Sequence, residues 1–443
     1  MQKLFTIISL EVINLIKREH YLKRIRGFYD SDLIKIITGI RRCGKSIILE
    51  QIMNEIKEKT DNIIYLNFED ERIISNISNC EQLLDYVDNN RKSGLCYVFF
   101  DEIKEVTYWQ KACKTLRLRN TSVFITGSNS KILSKEFTKE FSGRYVSFRI
   151  RPFVYKEMID YSKETGNDYT ITDYLICGGF PKLLEFSSKE DRLVYLNDIY
   201  SSIVNKNLIV RFNIKNTELL KKITNYILMS NARIFSSRSI ESYLKSEQVD
   251  SSINTIIKYV SYLEEAYIID RIKPYSTATK KELAYYFKIY DSDVAFNSIL
   301  CIDNRYDISH NLENIVYNEL LIRGYNVDVG IVEVYAKNNE GKTTRKQFEV
   351  DFVLIYMGYE VNVFNNNNKK IDFVAFKDNK KYYIQVAYSV AEDKAYEREF
   401  RAFNKIDNNS KKILITNDEI DYSTSVIEHI KLKDFLLMNS LDD

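Results

Sequence analysis

The amino-acid sequence predicts a multidomain α/β chain, and three observations predict it. Its 443 residues exceed what one hydrophobic core organises and suit about two to four domains. Between residues 33 and 153, apolar strand-like runs ("LIKIITG", "NIIYLNF", "LCYVFFDE", "SVFITGS") alternate with helical stretches, the pattern of a parallel sheet covered by helices. From 154 to about 275 apolar residues recur at i, i+3, i+4 and i+7, giving helices without convincing strands. After Pro274 strand patterns return, ending in "YYIQVAYS" and "KKILITND". Proline interrupts regular elements, and its three positions, 152, 181 and 274, serve as joints. The expected division is 1–153, 154–275 and 276–443.

Composition narrows the function classes. At 45% apolar and 28% charged residues, the chain has the proportions of ordinary folded domains. Sixty-four basic against 62 acidic residues leave a net charge of +2, so any nucleic-acid site must be a local patch. The six cysteines (43, 80, 96, 113, 177, 301) and three histidines (20, 310, 429) are scattered without metal-ligand spacing, which favours a reducing cytoplasm over a disulfide framework or a zinc site. The opening "MQKLFTIISLEVINLIKREH" reads as an amphipathic helix. Its apolar run is broken by Glu11, lacks a small-residue cleavage site and then turns basic. No uncharged apolar run approaches the roughly 18 to 20 residues that cross a bilayer, so a cytoplasmic protein without a membrane partner is expected.

The chemistry begins at "GIRRCGKS", Gly39 to Ser46, which matches the phosphate-binding pattern GxxxxGK[ST] of the P-loop. Such a loop needs a buried strand, a turn whose N–H groups point at phosphate, and a helix N-terminus whose dipole favours the anion. "LIKIIT" supplies the strand, and Ile47, Ile48, Leu49, Ile52, Met53 and Ile56 supply the buried stripe of the helix. A P-loop NTPase sheet that binds ATP and Mg²⁺ follows. Gly39, Ile40, Arg41, Arg42, Cys43, Gly44, Lys45, Ser46 and Ile47 line the nucleotide, Lys45 reaches the β/γ-phosphates, and Ser46 offers its hydroxyl to the metal. "LCYVFFDE" then delivers two carboxylates at a strand end, where open α/β sheets bind ligands: Asp101 for the metal and Glu102 for the attacking water. "ITGSNS" adds Thr126, Ser128 and Asn129 near the γ-phosphate. Arg144, in "FSGRYVSF", is either an arginine finger or a surface ion pair.

Beyond the nucleotide site, residues 235–275 read as helix–turn–helix. Ile240, Tyr243 and Leu244 form one apolar face, "KSEQVD" turns, and Ile253, Ile256, Ile257, Val260 and Leu263 form the next, with Asp250 or Ser251 as N-cap. The outward side of the second helix, Asn254, Thr255, Lys258 and Tyr262, carries one formal positive charge, so DNA and protein are both candidate partners. The basic runs Lys17–Arg26 and Lys111–Arg119 are either supplements to such a face or solvated surface. An internal repeat is visible further on: "RGYNVDV" followed by "FEVDFV" recurs as "MGYEVNV" followed by "KKIDFV", the second copy holding the loop-like run Asn365–Asn368.

These stretches resemble prokaryotic AAA-type P-loop ATPases that carry a C-terminal domain of unknown function. The resemblance rests on "LIKIITGIRRCGKS", "IIYLNFED", "FFDEIKEVTYWQ", "ITGSNSKILS", "SGRY", "GGFPKLL", "KIYDSDVA" and "ENIVYNELLIRGYNVDVG", and it runs through most of the chain. It implies that Arg41 and Arg42 belong to the family's own loop, that 235–275 is a winged helix, and that Gly178–Pro181 is a turn whose Pro181 packs on adenine. No lid arginine of the AAA+ sensor 2 type is evident, a departure from hexameric AAA+ proteins. The last module resembles the restriction-endonuclease-like fold, whose metal carboxylates correspond to Glu313 or Glu319 and Asp351 or Asp372. There Gln385 and Ala387 stand where an acidic residue and a lysine would activate water, so an inert nuclease-like platform is expected. The resulting expectation is an ATP-hydrolysing switch acting on DNA, another protein or itself. The competing readings are an ATP-gated nuclease of mobile-element or defence type and a non-hydrolysing, nucleotide-dependent binding module.

Overall fold

The apolar runs of the first third become one parallel sheet. β1 (Ile34–Gly39), β2 (Ile63–Asn67), β3 (Cys96–Asp101), β4 (Thr121–Gly127) and β5 (Tyr145–Ile150) lie in the order β2-β3-β4-β1-β5, with every neighbouring pair parallel. β1, β3 and β4 are buried along their whole length, as strands covered on both faces are. Four of the five are the strands the apolar runs predict. The fifth, "YVSFRI", is an edge strand with a partly exposed, polar-interrupted pattern and gives no such run. The helix Lys45–Lys57 buries Ile48, Leu49, Ile52 and Ile56, whereas Ile47 and Met53 are half-buried.

The structure is a computed structural model and describes residues 16–128, 141, 143–272, 275–276, 281–282, 287–300, 307–337, 343–355, 373–377, 380–403 and 411–441. The chain divides into two units, the first made of 1–153, 157–169 and 180–187, the second of 154–156, 170–179 and 188–443. Most of the N-terminal segment read as an amphipathic helix, Pro274 and the Asn365–Asn368 run lie outside the described residues.

The second unit contains two sheets. Its strands are β6 (Ile234–Phe235), β7 (Ile269–Ile272), β8 (Tyr275–Ser276), β9 (Lys281–Glu282), β10 (Phe287–Asp291), β11 (Asn326–Lys337), β12 (Thr343–Ile355), β13 (Phe373–Lys377), β14 (Lys380–Val386), β15 (Lys411–Thr416) and β16 (Glu428–Lys431). β6, β10 and β7 form a three-stranded antiparallel sheet beside the helices Thr217–Leu228, Ser237–Ser246 and Ile253–Glu265. The helical middle segment therefore adds two short strands, and β10, which lies beyond 275, pairs back with both. The other sheet runs β16-β15-β14-β13-β12-β11-β8-β9 and is mixed. In it β12 and β13 are parallel, with Phe352 opposite Phe373 and Val353 opposite Val374, so the two "DFV" copies of the repeat lie side by side in register.

Both helices of the predicted helix–turn–helix form, burying Ile240 and Leu244 on the first and Ile256, Tyr259, Val260 and Leu263 on the second. The N-cap of the second is Ser252, whose hydroxyl accepts from Thr255 N–H, rather than Asp250 or Ser251. Ile257 stays exposed.

One polar residue interrupts the sheet core. Lys35, in β1, is 0% exposed; its ammonium donates to Ser122 Oγ (2.7 Å) and Ser31 O (3.0 Å) and sits 4.6 Å over the Phe124 ring. Burial lowers its pKa from 10.5 to about 7. The unfolded chain thus holds a proton between about 7 and 10.5 that the folded chain has released, and stability rises with pH across that window. Guanidinium unfolding between pH 7 and 9.5 should show a slope of up to about 1.4 kcal/mol per pH unit from this residue. That slope should be missing in Lys35→Met measured in parallel.

Candidate nucleotide site

The carboxyl end of β1 passes directly into the loop. Gly39 has φ +149°, and a Cβ there would lie 2.2 Å from the carbonyl oxygen of Ile150 at the end of β5 and 2.9 Å from Cys43 Sγ. Only a residue without a side chain fits between the two strand ends. Cys43 is fully buried against the same carbonyl, its Sγ 3.4 Å from Ile150 O. Gly44, φ +96°, is the N-cap of the helix Lys45–Lys57, and Arg42 also takes a positive φ of 68°. The loop therefore leads into the N-terminus of a 13-residue helix, with the Cys43 N–H turned back to the Ile40 carbonyl at 3.4 Å. Lys45 is buried, and its ammonium donates to the Ile40 carbonyl at 3.1 Å, closing across the mouth of the turn. Ser46 is exposed in the first helical turn, Arg42 points to solvent, and Arg41 lies 3.9 Å from Glu69.

The carboxylates stand two strands away on the same edge. Pairing of Phe100 with Ile125 and of Thr126 with Ile37 puts Asp101, Thr126 and β1 in one row, with about 10 Å between the outer strands. Asp101 is 2% exposed; Thr126 Oγ1 donates to its Oδ1, and Tyr65 OH lies 3.4 Å from its Oδ2. Thr126 Oγ1 also accepts from Glu102 N–H at 2.9 Å, fixing the peptide that follows Asp101. Glu102 has left-handed φ/ψ of 50° and 44°, and its carboxylate pairs with Lys104 at 3.3 Å. Strain of this kind in a non-glycine residue is retained where surrounding bonds over-determine it. The carboxylate beside Tyr65 and the burial of its ring push the phenol pKa up, burial being the larger cause. Among the described residues no group of three or more His, Cys, Asp or Glu has metal-binding geometry of its own. The donor set of Ser46 hydroxyl and Asp101 carboxylate, hard oxygens at one edge, nevertheless suits a Mg²⁺ ion that keeps most of its waters and binds with phosphate.

One expected residue falls elsewhere, and two are not tested by the described geometry. Arg144 immediately precedes β5, and its carbonyl accepts from Ile34 N–H at the start of β1, so it stands at the amino edge of the sheet. Six residues of strand, about 20 Å, separate it from the loop, which excludes it as an arginine finger for its own site. Asn129 lies outside the described residues. Pro181 opens the short turn Pro181–Glu185.

The glycines before Pro181 have a local explanation. A Cβ on Gly178, φ +73°, would lie 1.6 Å from Asp293 Oδ1, and Gly179 N–H donates to Asp293 Oδ2 at 2.8 Å. The turn is shaped around a buried carboxylate.

Sequence reading also missed Tyr65 and Arg18. Tyr65 becomes a neighbour of Asp101 only once β2 is known to pair with β3. Arg18 sits in a basic run read as solvated surface or a nucleic-acid supplement, yet it is 0% exposed. In the same run Lys17 and Arg26 pair with Glu19 and Glu55. In the second basic run Arg117 pairs with Asp32, Arg119 with Asp88, and Lys111 lies 4.6 Å over the Tyr108 ring. Both runs are thus partly neutralised by neighbouring carboxylates, while Lys23, Arg24 and Lys114 stay exposed.

Comparison with known proteins agrees with this architecture. Residues 31–159 match the AAA domain family, and residues 169–304 match a domain of unknown function. An uncharacterized protein of Haemophilus influenzae is 32% identical over 438 residues, spanning 96% of this chain and 99% of that one. The chain belongs to that protein's family. Another uncharacterized protein, of Methanocaldococcus jannaschii, is 29% identical over 439 residues, covering 94% of this chain and 90% of its own length. Among solved structures, the Walker-type ATPase of Pyrococcus abyssi superposes with a TM-score of 0.47 at 14% identity, over 65% of this chain and 97% of that chain. On the match over residues 31–159, this family member carries an AAA-type domain. The domain of unknown function falls on 169–304, whereas the sequence reading placed such a domain at 276–443.

The Gly39 contact gives a direct test of the loop geometry. Gly39→Ala must displace either the Ile150 carbonyl or the loop, and unfolding free energy measured in urea should fall by roughly 2 to 4 kcal/mol. Gly94→Ala, at a φ of +94° with nothing within 4 Å of the added Cβ, should cost only about 1 kcal/mol.

Proposed function

We propose that this protein is an ATP-binding and ATP-hydrolysing, Mg²⁺-dependent switch. The observation that carries the reading is the convergence, on one edge of one sheet, of the Gly39–Ile47 loop with Lys45 and of the Asp101–Glu102 pair linked through Thr126. Loop N–H groups and the Lys45 ammonium hold the triphosphate; in binding it, Lys45 exchanges the Ile40 carbonyl for phosphate oxygen. Ser46 and Asp101 hold the metal, which supplies neutralisation of charge on the phosphate oxygens when bound. Glu102 accepts the proton of the attacking water after leaving Lys104, a surface cation that competes weakly for it. We assign Pro181 to the adenine on the family resemblance, and Asn129 to the γ-phosphate on its place just after β4 in the sequence. Arg144 is assigned to the site of a neighbouring copy, since it is exposed and distant from its own.

The partner we propose is DNA or another protein, met through a winged helix within the middle division 154–275 and its continuation into β10. The reading is supported by strand β6 preceding the two helices and by the antiparallel order β6-β10-β7 after them. It is weakened as a DNA reading by the helix face itself: Tyr262 stacks on Phe212 at 3.7 Å, and Thr255 is engaged with Ser252, leaving Asn254 and Lys258 outward. The remaining module, 276–443, we read as a nuclease-like platform without metal chemistry. Gln385 donates to Glu399 at 2.5 Å, and Glu313 is held by Lys288 at 2.7 Å and Tyr290 at 2.8 Å. Asp351 has no described side chain, and Asp372 lies outside the described residues. No helix among the described residues is long and apolar enough to cross a membrane.

Two variants test the site. Lys45→Ala should weaken MgATP binding at least tenfold in calorimetric titration. Glu102→Gln should keep that binding while phosphate release drops by about 10² or more. Unchanged phosphate release in Glu102→Gln sinks the assignment of the base, and a wild-type protein that does not bind MgATP sinks the whole reading.

A further inference from the structure

Arg18 uses every donor it has. Its Nε donates to Glu157 Oε1 (2.9 Å), Nη1 to the carbonyls of Cys43 (3.1 Å) and Arg151 (3.0 Å), and Nη2 to the Pro152 carbonyl (3.2 Å) and Glu157 Oε2 (2.9 Å). A guanidinium has five N–H groups, and five acceptors meet them. The fork lies between the rings of Tyr21 and Phe153, 4.7 and 5.0 Å from their centroids. The backbone around it is tied down as well. Arg18 N–H donates to Gln51 Oε1, Gln51 Nε2 donates to the Ile16 carbonyl, and Arg151 N–H donates to Tyr21 OH. Gln51 belongs to the helix that the loop begins.

The contact with Cys43 bears on the loop's chemistry. In a trans peptide the C=O and the following N–H point in opposite directions. With the Cys43 carbonyl drawn onto Arg18, the Gly44 N–H faces away from the guanidinium, out of the protein's interior and toward the helix N-terminus. That is the direction in which an anion-binding loop needs its N–H groups. Glycine at 44 tolerates either orientation of this peptide, so the sequence of the loop does not choose between them. A flipped peptide would offer phosphate a carbonyl oxygen.

We infer that Arg18, seated by Glu157, is a positioning residue of the P-loop: it fixes the Cys43–Gly44 peptide so that the Gly44 N–H is presented to the bound phosphate. The inference rests on reading this loop as a nucleotide site. Arg18 touches no nucleotide and acts through the peptide it holds.

The single variant Arg18→Met takes from the buried Glu157 carboxylate the guanidinium that pairs with it, which endangers folding. The test therefore uses the full chain with Arg18→Met and Glu157→Met combined, an apolar replacement of both charges that buried pairs often tolerate. Thermal unfolding and calorimetric titration with MgATP and MgADP are measured together. The double variant should melt close to the wild type and bind both nucleotides roughly ten- to a hundredfold more weakly, the worth of one lost charge-polarised contact. Wild-type affinity in the folded double variant overturns the inference and leaves the nucleotide site standing. Should the double variant not fold, Arg18→Lys decides. It keeps a charge opposite Glu157 but cannot hold that carboxylate and the Cys43 carbonyl as a fork does, so the same loss is expected and unchanged affinity overturns the inference. A wild-type protein that binds neither nucleotide overturns the nucleotide-site reading and this inference with it.

Discussion

Parallel pairing on both sides of β1 is the constraint from which the nucleotide site follows. Parallel strands put all their carboxyl ends on one edge, so the Gly39 loop, Asp101, Thr126 and the Ile150 carbonyl are neighbours by topology rather than by sequence. With β4 interposed between β1 and β3, the Thr126 hydroxyl becomes the bridge that touches Asp101 and the Glu102 amide at once. On the other side β5 comes close enough to forbid any side chain at Gly39. The loop is shaped by its two neighbours as much as by its own glycines.

This explains which features were legible in the sequence. A P-loop is written in consecutive residues, and an apolar run ending in two carboxylates is equally local, so the loop and Asp101–Glu102 could be placed without a fold. β5 could not, because an edge strand with one wet face lacks a continuous apolar run. Arg144 shows the limit more sharply. Its distance from the loop depends on the register of β5 against β1, with Ile34 opposite Tyr145, which no local pattern encodes. Arg18 is the converse case: a residue that charge patterning assigns to solvent becomes buried because five acceptors from three distant segments surround it.

Buried ionisable groups are either paired or pushed toward their neutral form, since a desolvated ion without partners costs several kcal/mol. In the first unit Arg18 has Glu157, and Lys35 has two oxygens and a ring face, an incomplete set that leaves its ammonium easier to neutralise. In the second unit Asp293 receives the amides of Gly179 and Ala295, yet burial still raises its pKa from 3.8 to about 7. Asp291, fully buried beside it, is pushed in the same direction, first by burial and then by Asp293. The "GGF" and "YDSD" stretches thus form one structural device: the glycines exist to admit the carboxylate, and the carboxylate fixes the turn.

The same accounting bears on the last module. A carboxylate serves as a metal ligand only if its lone pairs are available at a small energetic cost. Glu313 is held by a fully buried ammonium and a phenol, and Glu319 is paired with Arg323 at 2.8 Å. Releasing Glu313 would take its carboxylate from Lys288, whose side chain is 1% exposed, and breaking a buried ion pair costs about 3 to 5 kcal/mol. Gln385 presents a neutral amide that is already spent on Glu399, and Ala387 offers a methyl group where a water-activating ammonium would be needed. Among the described residues, Glu313, Glu319 and Gln385 are thus each engaged by another side chain rather than turned toward one common point.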